Sequence, residues 1–357
     1  MLLGLSEPLP GLVEAKYKAA KASRSVVFSP TELAVIRTST GIPFQLRYCP
    51  SLAKKSQPLK DTASPKNTAS PKNTASPKNT ASPKPKPKPK VDVFANPEPD
   101  LCIADVPASN PSHVLVLNKF PIIPNHFIVA TKENKPQAWR LEEEDLAATY
   151  ACLGAWEASR QTRLFAFFNS GQHSGASQPH RHLQLMPIDN MNEGEKSAGW
   201  DLLLDTILST SGEAAEIVQH AALPFSHFAR RLVSEPSGPQ LLQTYNLLYE
   251  LAKGAVDDFM ASHPGQLALH PATDGELPIS YNLAMTTAGM AILPRRNEGH
   301  MLHREDGTDM GFVQLNGTAL GGTLMVKYAE EWDMLKAQPH MLDAVLGAIG
   351  IPRAASS

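Results

Sequence analysis

The chain has 357 residues, 42% of them hydrophobic and 19% charged, with a net charge of −2. That makeup fits a globular protein with a sizeable core and excludes collagen-like and wholly disordered chains. Cys49, Cys102 and Cys152 are odd in number and lack a C-x-x-C pair, which argues against a disulfide framework and against a thiolate zinc site. No apolar run reaches the roughly 18 residues of a membrane span, and MLLGLSEPLPGLVEAKYKAAK lacks a secretory pattern. A cytoplasmic location, with nuclear access open and no membrane partner, is the expectation.

The chain opens with a helical pattern over residues 12–22, then strand-like SVVFSPTELAVIRT and IPFQLRYCP. Residues 54–90 hold ten lysines and one acid, +9, which leaves −11 on the rest of the chain. The hexapeptide TASPKN starts at Thr62, reopens at Thr68, Thr74 and Thr80, and gives way to PKPKPKPK. A six-residue period without an apolar face builds no packed repeat, so this segment reads as a disordered, partly polyproline-like insert. As a coil of about 37 residues it would reach on the order of 30–35 Å. A basic handle for nucleic acid, or a Ser-Pro array for phosphorylation at Ser64, Ser70, Ser76 and Ser82, is the functional reading. The simpler reading, a tolerated loop expansion, is preferred, so nucleic acid is not an expected partner.

After the insert, SHVLVLNKFPIIPNHFIVATK holds two apolar runs broken by Pro121 and Pro124, which fits two short strands joined by a tight turn. LEEEDLAATYACLGAWEASR is a helix with acids in its first turn, where the helix dipole favours them. RLFAFFNSG reads as a strand running into a polar loop, and HRHLQLMPI as another strand. Helices over 202–208 and 239–260 follow, then the strands ISYNLAMTT and MAILPRR. Arg295 and Arg296 read as surface arginines at a strand end. GGTLMVKYAEEWDMLK and MLDAVLGAIG read mainly as helices. The mixture of strands, helices and a hairpin predicts an α+β fold.

The stretch NSGQHSGASQPHRHLQLMP, residues 169–187, concentrates the chemistry. In a strand, alternation puts His180, His182 and Gln184 on one face and Arg181, Leu183 and Leu185 on the other. A neutral imidazole is a good nucleophile toward phosphorus near neutral pH. The Gly- and Ser-rich loop just upstream can turn backbone N–H groups toward phosphate oxygens. Three readings of the pair stand: a nucleophile site, which we favour, a His-x-His metal site, and an inert core strand, which would bury three polar side chains at a cost.

HRHLQ after a Ser/Gly-rich loop, preceded by LNKFPIIPNHFIVAT and followed by SYNLAMTTAGMAILPR, resembles the ATP adenylyltransferase family. These are the fungal-type diadenosine tetraphosphate phosphorylases of the histidine-triad superfamily, related to galactose-1-phosphate uridylyltransferase. The resemblance spans nearly the whole chain outside the insert. It implies a histidine-triad-like fold of two pseudo-repeated halves: residues 1–53 and 91–195 would form the catalytic half, split by the insert over 54–90, and 196–357 would complete the pocket.

By the same resemblance, His182 is the nucleophile that takes the adenylyl group and His180 orients it. Gln184 stands where hydrolases carry a third histidine, which favours transfer over hydrolysis. Asn169, Ser174, Gly175, Ala176 and Ser177 would bind phosphates and ribose. Leu117, Asn118 and Lys119 would lie against the nucleotide, with His126 next to them. Lys55, or its neighbour Lys54, would reach the polyphosphate, and Asn282, Leu283, Ala284, Thr323 and Lys327 would contact substrate. The implied reaction is reversible phosphorolysis of diadenosine tetraphosphate to ADP and ATP through a histidine-AMP intermediate. Its small-molecule partners are diadenosine polyphosphates, ATP, ADP and phosphate. No cofactor is firmly implied, although a divalent cation such as magnesium can accompany the nucleotide. A rate that falls with acid between pH 5 and 8, as His182 protonates, is a further expectation. The alternatives are a hexose-1-phosphate uridylyltransferase and a non-catalytic nucleotide- or nucleic-acid-binding protein.

Overall fold

The computed structural model describes residues 3–55, 92–210, 212, 215–269 and 278–353. The repeats and Ser-Pro sites expected in the insert lie outside the described residues, as do the side chains of Lys54 and Lys55.

In chain order the first elements are helix α1 (Leu9–Ala22), the hairpin strands β1 (Glu32–Arg37) and β2 (Pro43–Tyr48), then β3 (Cys102–Val106), β4 (His113–Leu117) and β5 (Phe127–Thr131). Helix α2 (Glu143–Arg160) begins with a capping box of Glu142 and Asp145 and ends at Gln161 in the left-handed region. Strands β6 (Leu164–Ser170) and β7 (His182–Pro187) follow, then short helices α3 (Ile188–Met191) and α4 (Leu203–Ser209) and strand β8 (Phe228–Arg231). Helix α5 (Gly238–Ser262) opens on a Ser237–Gln240 capping box. The remainder is β9 (Ser280–Met285), β10 (Gly289–Arg295), β11 (Gly299–His303), β12 (Asp309–Gln314), β13 (Thr323–Val326), α6 (Ala329–Ala337) and α7 (His340–Ile349). No helix among the described residues is long and apolar enough to cross a membrane.

The class is α+β, built on an eight-stranded sheet of order β3-β4-β5-β7-β6-β9-β10-β8 in which each pairing is antiparallel. The β6–β9 pairing makes one continuous sheet out of strands from the two ends of the chain. Alternation sends the two sides of each strand into separate cores. Leu183 and Leu185 of β7 and Phe168 of β6 pack with Val13, Leu153, Tyr245 and Val256 of α1, α2 and α5. Phe165, Phe167 and Met186 face the other way, toward Phe44 of β2, Leu324 of β13, Ile207 of α4 and Leu346 of α7.

Several expected elements differ. SVVF forms no strand; only its downstream part does, as β1. The β4–β5 connection is nine residues, 118–126, not a tight turn. TLMV is not helical: after a 3-10 turn ending at Gly321, Gly322, at φ +68, turns the chain into β13, which pairs parallel with β2. A short apolar run suits helix or strand equally, and here a partner far upstream decides.

The helix-side face also buries charge. Arg181 is 1% exposed and its Nη1 donates to Asp145 and Glu142, each at 2.8 Å, while His113 Nε2 donates to Asp145 at 2.9 Å. Burial raises the Asp145 pKa, but the bond from His113 and the charge of Arg181 outweigh it and leave the carboxyl below its ordinary value. A depressed pKa stabilises the fold above the unfolded-state value and loses that contribution as pH falls through the folded-state value. Asp145→Ala should cost about 3–5 kcal/mol in urea unfolding at neutral pH, by leaving Arg181 and His113 underpaired. It should also flatten the decline in stability below about pH 4. A loss under about 1 kcal/mol, the range of exposed pairs, would contradict this.

Candidate active site

A cavity of about 1060 Å³ opens on the sheet face away from α2. Phe167, His182, Gln184 and Met186 form its floor, the 92–101 segment and Leu117, Asn118 and Lys119 one side, and Gly175, Ala176 and Ser177 another. Thr318, Thr323 and Lys327 close it from the C-terminal part of the chain.

The floor is set by an opening in the sheet. The β6–β7 ladder runs from Leu164↔Pro187 to Phe167↔Gln184 and stops there. Asn169 and His182, the next pair on that face, stand apart, and Gln137 fills the gap. Its Nε2 donates to Asn169 O at 2.9 Å and His182 O at 3.2 Å, and its Oε1 accepts the His182 N–H at 2.8 Å.

This fixes the backbone of His182, and a second contact fixes its ring. Nδ1 lies 2.8 Å from the carbonyl oxygen of His180. A carbonyl only accepts, so Nδ1 carries the proton and Nε2 carries the lone pair. Burial lowers the His182 pKa from 6.5 to about 4; the backbone bond to His180 opposes this and the His180 ring charge adds to it. The ring is neutral at physiological pH.

His180 lies outside β7, in an isolated bridge to Pro136, and its ring is not on the cavity wall. Its Nδ1 meets Asp92 Oδ2 at 2.8 Å and its Nε2 the carbonyl of Thr131 at 2.7 Å. With both ring nitrogens engaged, the His180–His182 pair offers no chelate, and no three metal-type side chains cluster among the described residues. Burial raises the Asp92 pKa, but bonds from His180 and from the Phe94 and Ala95 amides more than offset it, and the net shift is downward. Phe94 lies against both imidazoles, 5.7 Å from the His180 ring and 4.9 Å from that of His182.

The Asn169, Ser174 and Asn282 side chains sit behind the cavity, not in it. Asn169 Oδ1 accepts from Asn282 Nδ2 at 2.9 Å and from the Gly317 N–H at 2.8 Å, and Asn282 Nδ2 also donates to Ser174 O. Arg295 completes the network. It is 1% exposed, contrary to its reading as a surface arginine, and donates to Asn282 Oδ1 and to the carbonyls of Asn297, Glu298 and Leu315. A ring of oxygen acceptors satisfies the guanidinium at a strand end, where sequence alone gives no hint of enclosure. Arg296 is partly buried and donates to the carbonyls of Gly347 and Ala348. Leu283 and Ala284 are core residues on opposite sheet faces.

Of the residues expected at the site, the cavity therefore brings together Leu117, Asn118, Lys119, His126, Gly175, Ala176, Ser177, His182, Gln184, Thr323 and Lys327. His180, Asn169, Ser174 and Asn282 support them from behind. Asp92, Phe94 and Gln137 are not legible in the sequence; Asp92 meets a histidine 88 positions away and Gln137 one 45 away.

Gly175 is fixed by its backbone and its surroundings: its φ is +78, and a β-carbon added there would sit 2.8 Å from Leu315 O. Gly175→Ala costs about 1–2 kcal/mol in that conformation and displaces the loop at the cavity wall. About tenfold weaker AMP binding by calorimetry is expected, with a small change in Tm. An unchanged Kd would remove this loop from the site.

The family description of the Ap4A phosphorylase N-terminal domain matches residues 5–204, and that of the ATP adenylyltransferase C-terminal domain matches 221–352. Diadenosine 5',5'''-P1,P4-tetraphosphate phosphorylase 2 of Saccharomyces cerevisiae is 30% identical over 276 residues, 74% of this chain and 77% of that protein. Protein APA1 of the same yeast is 25% identical over 98% of this chain and 96% of its own length. The crystal structure of yeast Ap4A phosphorylase Apa2 superposes with a TM-score of 0.73 at 24% identity, covering 98% of this chain and 100% of that one, and so has the same fold. With both family descriptions matched in order along it, the chain belongs to the ATP adenylyltransferase, or diadenosine tetraphosphate phosphorylase, family.

Proposed function

We propose that this protein phosphorolyses diadenosine tetraphosphate to ADP and ATP, reversibly, through an adenylyl group carried on His182. The observation that carries the reading is the orientation of the one imidazole on the cavity floor: Nδ1 of His182 is committed to the His180 carbonyl, which leaves the lone pair of Nε2 for the substrate. The yeast relative named for this activity supports it, as does the yeast enzyme's structure in complex with Ap4A.

In the first step Nε2 attacks the α-phosphorus, the P–N bond forms, and the bond to the bridging oxygen breaks to release ATP. The leaving polyphosphate is already a stabilised anion, so it departs without a strong proton donor; the Gln184 amide can hold a phosphoryl oxygen but supplies no proton. As positive charge grows on the ring, the Nδ1–H bond to the His180 carbonyl strengthens. In the second step an oxygen of inorganic phosphate attacks the same phosphorus and the P–N bond breaks. ADP leaves and neutral His182 is restored. Lys327 and Lys119, at the cavity wall, supply positive charge where the tetraphosphate lies. In this reading residues 1–53 and 91–195 carry the nucleophile, and 196–357 complete the pocket with Thr318, Thr323 and Lys327.

Three measurements test this. Incubation with diadenosine tetraphosphate and phosphate should yield ADP plus ATP; two ADP, or AMP plus ATP, would mean hydrolysis. His182→Asn should lower the single-turnover rate by at least about 10⁴-fold. The pH dependence also changes from the sequence-based expectation. With a pKa near 4, the neutral nucleophile persists through the range in which a free imidazole would titrate. The single-turnover rate should be flat from about pH 5 to 8 and fall as pH drops through about 4. A half-maximal rate near pH 6.5 would contradict the buried, neutral ring.

A further inference from the structure

His126 lines the cavity and is 6% exposed; its buried Nε2 makes no well-formed hydrogen bond among the described residues, although the Gln184 side chain is near enough to interact with the ring. Its tautomer follows from its neighbours. Asn118 Oδ1 accepts the Phe120 N–H at 2.9 Å, so the Asn118 amide is oriented and its Nδ2 donates to His126 Nδ1 at 3.1 Å. Nδ1 is thus an acceptor and Nε2 carries the proton. Burial lowers the His126 pKa from 6.5 to about 4; the pull of the Gln184 side chain opposes this and the nearby His182 adds to it. The ring is neutral at physiological pH and carries one buried N–H.

Strand register places Gln184 within reach of that N–H. Ile128 pairs with Gln184 and Phe127 with Leu185, so position 126, one residue further, lies diagonal to Gln184 on the same sheet face. Diagonal neighbours are within reach of long side chains. A carboxamide has two nearly isosteric orientations. One turns its oxygen to the ligand and repels a phosphate; the other turns its NH₂ there and binds it. A donor beside the carboxamide oxygen favours the second.

We propose that His126 is a positioning residue for Gln184: in the nucleotide-bound site its Nε2–H donates to Gln184 Oε1 and so turns the Gln184 NH₂ toward an oxygen of the α-phosphate. This rests on the reading that the cavity holds an adenine nucleotide by its phosphate. The relay then runs from the Phe120 amide through Asn118, His126 and Gln184 to the phosphoryl group, each member donating to the next acceptor. Such a chain fixes the orientation of its last donor, because reversing one amide would set two donors or two acceptors face to face. It assigns a purpose to the LNKFP and PNH segments together, since Asn118 and His126 act as one unit.

The test is a double-mutant cycle on the full-length protein, read as AMP affinity by calorimetry, which needs no turnover. His126→Ala and the ring-preserving His126→Phe should each weaken AMP binding about five- to tenfold when Gln184 is present, and less than about twofold in the Gln184→Ala background. Tm of each variant reports folding, and His126→Phe keeps the test valid if the Ala variant collapses. Equal weakening in both backgrounds would overturn the proposal, because His126 would then act independently of Gln184. A protein that binds AMP and shows the coupling but does not convert diadenosine tetraphosphate would leave the relay standing and defeat the activity proposed above.

Discussion

The site depends on one hydrogen bond, from Nδ1 of His182 to the carbonyl of His180. It fixes which ring nitrogen carries the proton, and so which one meets the cavity. β7 starts only at His182, so the His180 carbonyl lies outside the ladder and accepts from the ring two residues on. Gln137 stabilises the opening between β6 and β7 by satisfying the backbone groups that the interrupted ladder leaves behind. Asp92 and the Thr131 carbonyl then hold the His180 ring from both sides.

The surroundings of this bond show a division of labour across the sheet. On the helix side, Arg181 is paired with Asp145 and Glu142, so the residue between the two histidines is anchored to α2 and its cap. On the cavity side, the Asn169–Asn282–Arg295 network ties the glycine-rich loop through Ser174 and the 315–317 turn to β6, β9 and β10. His182 and the glycine-rich loop are therefore held by groups behind the cavity wall. These contacts suit electrostatic stabilisation, which needs donors aimed in advance at the charge that develops.

Much of this is legible in the sequence where interactions are local. The β4 and β5 runs, α2 with its acidic first turn, β6 and the alternation of His182 and Gln184 depend on neighbours a few residues away. Local signals fail where a distant partner decides. β13 is a strand because β2 lies beside it; Arg295 is buried because carbonyls from three later positions converge on it. Asn169 and Asn282 carry the motifs of a substrate site, yet they face each other behind its wall. Nothing in the residues around Asp92 marks it as the partner of a histidine 88 positions on, and the Lys/Pro repeat just upstream draws attention away from it.

The account is tested most directly by locating the P–N bond of the adenylyl-enzyme. Protein incubated with diadenosine tetraphosphate in the absence of phosphate, quenched in base to preserve phosphoramidates, and analysed by peptide mapping and phosphorus NMR should carry AMP on Nε2 of His182, and added phosphate should discharge it as ADP. An adduct on Nδ1, or on any residue other than His182, would contradict the arrangement of the ring on which the proposed chemistry rests.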